Sequence, residues 1–447
     1  MDFDPAAVSA FRYLAARFDP VAAVAEFDYE LGGSGERFTE RVSFVSGTPA
    51  DPDRLQRVLD LLGAILGLSY YKAAAPPRYE SRVPLAPVAL DYLRAAIRSG
   101  LAEFAYRAGL PGPLEPEVTA PGAEPYHESV ALDGAPLVPI GGGKDSVVSV
   151  ESLRAAGLEP VQFSVNPNAI VERVAAAAGL PLVAARRRLD PRLLELNAGG
   201  ALNGHVPVTA MNSLIALAQS LLIGAGPVVM SNESSASDPT LTWNGFPVNH
   251  QWSKSLEAEL ALRDALAAQA GLADVSFSLL RPFSELRIAG GYARISPPER
   301  AAAYDAAIVS CNRAFRIRGA EPTWCGECDK CRFVFLALAP HMAPERLLGI
   351  VGHDLFADEA QLPGYRALLG LGAHKPFECV GEEAESSVAV TLASRIPRWA
   401  GSPVIRGLLA DAPELGAGDA AQEARILGAS EALPVPPRYE EARRALV

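Results

Sequence analysis

The chain of 447 residues is 49% hydrophobic and 21% charged, enough for two or three domains with buried cores. Its longest apolar candidate, Leu214–Val229, is interrupted by Gln219, Ser220, Gly224, Gly226 and Pro227, so it reads as helix, turn and strand rather than a membrane span. A net charge of −12 argues against a general nucleic-acid surface and leaves room for one basic cleft.

The N-terminal stretch MDFDPAAVSAFRYLAARFD has neither a basic region nor a small-residue cleavage site, and a cytoplasmic enzyme with no membrane partner is expected. Residues 1–130 read as an N-terminal α+β domain. Alternation over Val24–Leu31 and Arg37–Val45 predicts strands, and Asp53–Leu66 a helix. Dense Pro and Gly from Leu110 to Pro125 predict a linker. From Ala135 the pattern becomes β–α–β. APLVPI, EPVQFSV, LPLVAARR and GPVVMS are strands, with helices at Asp145–Ala156, Asn168–Ala178 and Val208–Ile223. Such alternation predicts a buried parallel sheet over 131–298, with ligand at the strand C-termini. Residues 299–400 read as helical and carry the cysteines, and 401–447 as a peripheral tail.

The loop IGGGKDS, Ile140–Ser146, joins the first of these strands to its helix. It is not the common P-loop, since Asp145 stands where that pattern has Ser or Thr. Glycine backbone at a helix N-terminus still makes an anion nest. Gly141, Gly142 and Gly143 would close around phosphate oxygens, Lys144 would add charge, Ser146 would donate, and Asp145 would sit near Mg²⁺ or cap the helix. Ser231, Asn232 and Glu233 follow another strand and should open onto the same crevice. The loop resembles the SGGxDS loop of the PP-loop ATP pyrophosphatases, with Gly141 in place of the first Ser. That resemblance implies cleavage of ATP between the α and β phosphates, with AMP passed to an acceptor.

Cys311, Cys325, Cys328 and Cys331 are spaced C-x13-C-x2-C-x2-C, which predicts a closed four-thiolate metal site. Structural zinc is expected, with an iron–sulfur cluster as the alternative. The fifth cysteine, Cys379, stands alone in HKPFECVGE. Only five of the forty basic residues are lysine: Lys72, Lys144, Lys254, Lys330 and Lys375. Each lies among Cys, His, Trp, Tyr or Gly, as if a compact ammonium were required there. Further polar clusters are NGHVPVTAMNS with Asn203 and His205, VNHQWSKS with His250 and Lys254, and SLLRPFSEL with Arg281 and Glu285. Any one of these residues could serve only as ordinary helix-capping chemistry.

SYYKAAAPP, EFAYRAGL, IGGGKDS, NGHVPVTAMNS, SNESSAS, VNHQWSKS, SLLRPFSEL, SCNRAF, WCGECDKCRFVFLALAP and HKPFECVG run in order from Ser69 to Gly381. Together they resemble the UDP-N-acetylmuramoyl-L-alanyl-L-glutamate epimerase (MurL) family. The resemblance implies an α/β core of the PP-loop (adenine nucleotide alpha-hydrolase-like) kind with a helical zinc-binding C-terminal region. It further implies ATP- and Mg²⁺-dependent inversion of the terminal glutamate of UDP-MurNAc-L-Ala-L-Glu through an acyl-adenylate, for peptidoglycan. In that reading the base and acid are Cys379 with His374 or His250, while Lys254, Lys375 or Arg281 holds carboxylate or phosphate groups. Lys72, Asn203 and His205 are further substrate contacts. The rivals are another adenylating PP-loop enzyme (an amide- or nitrile-forming synthetase, 7-cyano-7-deazaguanine synthase-like, or tRNA-modifying) and a non-catalytic, zinc-stapled nucleotide sensor.

Overall fold

The structure, a computed structural model, describes residues 3–126, 128–315, 323–372, 376–430 and 435–445. The first strands, β1 (Ala10–Asp19), β2 (Val24–Gly32) and β3 (Glu36–Ser43), form an antiparallel meander. Along β2 every second residue is buried, as a half-covered sheet requires. The outer face carries cross-strand ion pairs such as Arg12–Glu30 (2.7 Å) and Arg41–Glu26 (2.7 Å). The inner face packs on the helix Pro52–Leu66, whose start is set by Asp51: its side chain accepts from Arg54 N at 3.0 Å, with Pro52 next.

Short strands β4 (Arg78–Ser81) and β5 (Glu117–Thr119) extend this half in parallel beyond β1. Strands β6 (Leu137–Pro139), β7 (Val161–Val165), β8 (Leu182–Arg188) and β9 (Val228–Met230) then follow with intervening helices. After the separate ribbon of β10 (Leu241–Trp243) and β11 (Phe246–Val248) comes β12 (Ser276–Ser278). The final order is β12-β9-β6-β7-β8-β3-β2-β1-β4-β5. The strands from β12 to β8 are parallel, and β3 joins antiparallel to β8 through Val42↔Arg187. The result is a mixed α/β fold on one large, mostly parallel sheet. Its strands come from both sides of residue 130.

Alternate strand residues feed two cores. Leu137 and Val228 face the cluster with the helices Pro52–Leu66 and Val208–Ile223. Val138 and Val229 face the cluster with the helix Lys144–Ala155 and the C-terminal helices. The chain leaves β6 to β7 on one side and later returns to β9 on the other. This reversal opens a crevice at the C-terminal end of β6. The residues after Gly401, which read as a tail, are packed: Val404, Ile405, Leu408 and Tyr439 are fully buried. Among the described residues no helix is long and apolar enough to cross a membrane.

Candidate active site

A cavity of about 320 Å³ opens at this reversal point. Gly141, Gly143, Asp145 and Ser146 line it on one side and Ser231, Asn232 and Glu233 on another, with Lys254, Ser310, Asn312, Phe315 and Lys330 completing the wall. The two loops expected to share a crevice do so. Gly142 has φ +88°, and a Cβ there would lie 2.7 Å from Ile170 Cγ2, so glycine is required by both backbone and space. Its carbonyl accepts from Val309 N at 3.1 Å. A Cβ on Gly143 would meet Ser310 Oγ at 2.8 Å, whereas Gly141 has open space on that side. A serine side chain at that position would therefore fit.

Lys144 does not reach the cavity. It is 2% exposed, and its ammonium donates to Asp145 Oδ1 and Glu285 Oε2. Burial alone would neutralise these groups, but the lysine keeps Asp145 below its ordinary value. Burial and the neighbouring Asp145 push Glu285 up to about 7. Lys144 thus fixes the charge and orientation of Asp145, which does face the cavity. Arg281 is also set back. Its guanidinium donates to Glu233 O (2.8 Å) and Glu259 Oε2 (2.7 Å), so it holds the Ser231–Glu233 turn from behind.

Lys254 reaches from the cavity wall to Cys379, with Nζ 3.5 Å from Sγ. Lys330 donates to the Cys379 carbonyl. His250, whose Nδ1 lies 2.5 Å from Glu103 Oε2, also favours the thiolate. Burial would raise the thiol, yet Lys254 and His250 outweigh it and bring Cys379 down to about 6. Burial would lower His250, but Cys379 and Glu103 lift it to about 9. A thiolate–imidazolium pair backed by a carboxylate is the consequence.

His205 stands beside this chain, its ring 4.8 Å from that of His250 and its Nδ1 3.6 Å from Glu103 Oε2. Burial and the charge on His250 hold it neutral, down to about 4. Lys72 donates to Asn203 Oδ1 and to Gly204 O (2.9 Å), and burial brings it down to about 8. Lys72 and Asn203 therefore brace the His205 loop. His374 and Lys375 lie outside the described residues.

The four clustered cysteines converge. Sγ–Sγ separations are 3.5 Å for Cys328–Cys331 and 3.9 Å for both Cys325–Cys331 and Cys328–Cys311. Gly326, at φ +70°, makes the turn between Cys325 and Cys328. The adjoining residues hold the site: Asn312 donates to Glu378 Oε2, and Lys330 to the Cys379 carbonyl.

The sequence reading assigned no role to Glu103, Lys330 or Asn312. Lys330 carried a signal in being one of five lysines. Glu103 carried none, because a single acid on an amphipathic helix is ordinary.

The chain matches the MurL N-terminal domain over residues 2–279 and the MurL C-terminal domain over residues 307–423. Three relatives are each named UDP-N-acetyl-alpha-D-muramoyl-L-alanyl-L-glutamate epimerase. That of Salinispora tropica is 51% identical over 447 residues, covering 98% of this chain and 96% of the relative. That of a Micromonospora strain is 50% identical, covering 97% and 98%. That of Xanthomonas oryzae pv. oryzae is 40% identical, covering 93% of each. No solved structure matches. With two domain models and near full-length relatives in agreement, the chain belongs to the MurL family.

Proposed function

We propose that the protein epimerises the terminal L-glutamate of UDP-MurNAc-L-Ala-L-Glu, consuming ATP and passing through an acyl-adenylate. The observation that carries this reading is Cys379, held as a thiolate between Lys254 and His250 and joined by Lys254 to the glycine-loop cavity. An epimerase needs exactly such a base next to a place where its substrate can be activated. The α-proton of a carboxylate is too weakly acidic to remove, because its loss would leave a dianion. Transfer of AMP to the carboxylate, with pyrophosphate leaving, removes that charge.

Gly141–Gly143 and Ser146 would receive the phosphates. Asp145 and Glu233, the carboxylates of the cavity wall, suit Mg²⁺, which would neutralise phosphate charge. Lys254 would face the oxygen on which enolate charge develops. Cys379 then takes the α-proton and His250 returns one to the opposite face. The α-carbon must enter between the two side chains. Water releases AMP. The Cys₄ separations support one tetrahedral zinc, for which Zn–S bonds of about 2.3 Å place sulfurs roughly 3.8 Å apart.

Cys379→Ser should retain substrate-dependent pyrophosphate release and lose α-proton exchange with deuterated water, and chiral analysis should find only L-glutamate. Exchange surviving in this variant would remove Cys379 as the base. Formation of an amide or nitrile from the activated carboxylate would favour the rival synthetases.

A further inference from the structure

Three chain segments deliver the reactive cluster, and each also carries an aromatic side chain to one neighbouring surface. The helix Ala102–Arg107 bears Glu103 and, one turn on, Tyr106 and Arg107. The β10–β11 ribbon, turned through Asn244 (φ +50°) and Gly245 (φ +80°), bears Trp243 and leads directly to His250. Phe377 precedes Cys379 by two residues.

These side chains meet. Tyr106 and Phe377 have centroids 5.8 Å apart at 30°, and Tyr106 and Trp243 5.7 Å apart at 72°. The Arg107 guanidinium lies 4.7 Å above Phe377 while its Nε bonds Glu103 Oε1 at 2.7 Å. Tyr106 is 39% exposed and the Arg107 side chain 55%. Trp243 and Phe377 are half-buried. None of these four residues lines the glycine-loop cavity.

We propose that Tyr106, Trp243, Phe377 and Arg107 form the seat for the uridine-diphosphate end of the substrate. This rests on the epimerase reading, in which the glutamate sits at Cys379 and a sugar and diphosphate trail away from it. A planar base finds aromatic faces there, and bases stack on aromatic side chains because both present π-faces. A diphosphate finds a guanidinium whose planar fork matches phosphate oxygens. The same helix turn places Arg107 against Glu103, so an occupied seat would steady the carboxylate behind His250.

Tryptophan fluorescence reads this directly. Trp252, Trp324 and Trp399 are 4%, 5% and 0% exposed, leaving Trp243 as the responsive indole. In the presence of a non-hydrolysable ATP analogue, UDP should quench the emission saturably. Trp243→Phe should abolish the quench, and Arg107→Met should weaken UDP binding tenfold or more while sparing uridine. Trp243→Ala and Tyr106→Ala should raise KM for the UDP-linked dipeptide tenfold or more with a much smaller change in kcat. Absence of quenching by UDP together with unchanged KM in both alanine variants overturns the seat. Quenching by a muramoyl dipeptide lacking UDP, but not by UDP, overturns it as well by showing a pyranose in its place. UDP quenching in a protein that does not epimerise the dipeptide leaves the seat standing and removes the epimerase reading.

Discussion

A cysteine between an ammonium and an imidazole is a different reagent from a cysteine in an apolar core. At Cys379 the opposing effects are burial, which favours the thiol, and two adjacent cations, which favour the thiolate; the cations prevail. The ordinary thiol value of 9.0 comes down to about 6, and His250 stays protonated up to about 9. The sign follows. Below about pH 6 the thiolate gains a proton, and above about pH 9 the imidazolium loses one, so the ion pair persists between the two limits. Iodoacetamide labelling of the Cys379 peptide, followed by mass spectrometry, should therefore rise with a midpoint near pH 6. Lys254→Met should move that midpoint upward, and His250→Asn should move it in the same direction. A wild-type midpoint near 9 would show that the cations do not govern the thiol.

Among the elements, the cysteine cluster is tied to the Cys379 loop through the residues that flank it. Its flanking residues bond the Cys379 loop at two points, Asn312 to Glu378 and Lys330 to the Cys379 carbonyl. Just before it, Val309 bonds Gly142 of the glycine loop. A metal joining the four thiolates would thus fix the glycine loop and Cys379 in one frame. Cys328→Ser should lose the bound metal by atomic emission and lower epimerisation roughly tenfold or more. It should also raise amide hydrogen exchange in residues 376–382 and 140–143 together. Faster exchange confined to the cysteine segment itself would mean that the cluster stabilises only its own turn.

For the molecule as a whole, the join between the two halves of the sheet is the exposed question. Glu40 on β3 is fully buried, and Arg187 on β8 meets it at 2.5 Å and donates to Ser69 Oγ at 2.8 Å. Removing one partner strands a buried charge, so Arg187→Met should destabilise by about 3–5 kcal/mol in urea denaturation. Arg187→Met combined with Glu40→Leu should restore much of that loss. Equal destabilisation in the single and double variants would show that packing, not charge, is what the seam requires.

Periodicity made the parallel strands legible, and glycine made the loop legible, because both depend on neighbours close along the chain. The four-thiolate convergence and the pairing of the glycine loop with Ser231–Glu233 were readable for a related reason: spacing and strand polarity bring them together in any α/β sheet. The partners of Lys144 and Arg281 were not legible, since a cation near a loop looks the same in sequence whether it faces a ligand or braces an acid behind it. Glu103 was not readable at all, and His250 was only one of two alternatives, with His374, for the partner of Cys379. His250 lies 129 residues before it and Glu103 farther still, and no local pattern relates positions that the sheet and its covering helices bring into contact. Sequence by itself determined the family, the strand–loop–helix unit and the set of rare lysines and cysteines. Tertiary structure alone decided which cations face which acids, because burial and a few ångströms of separation set the charge of each group.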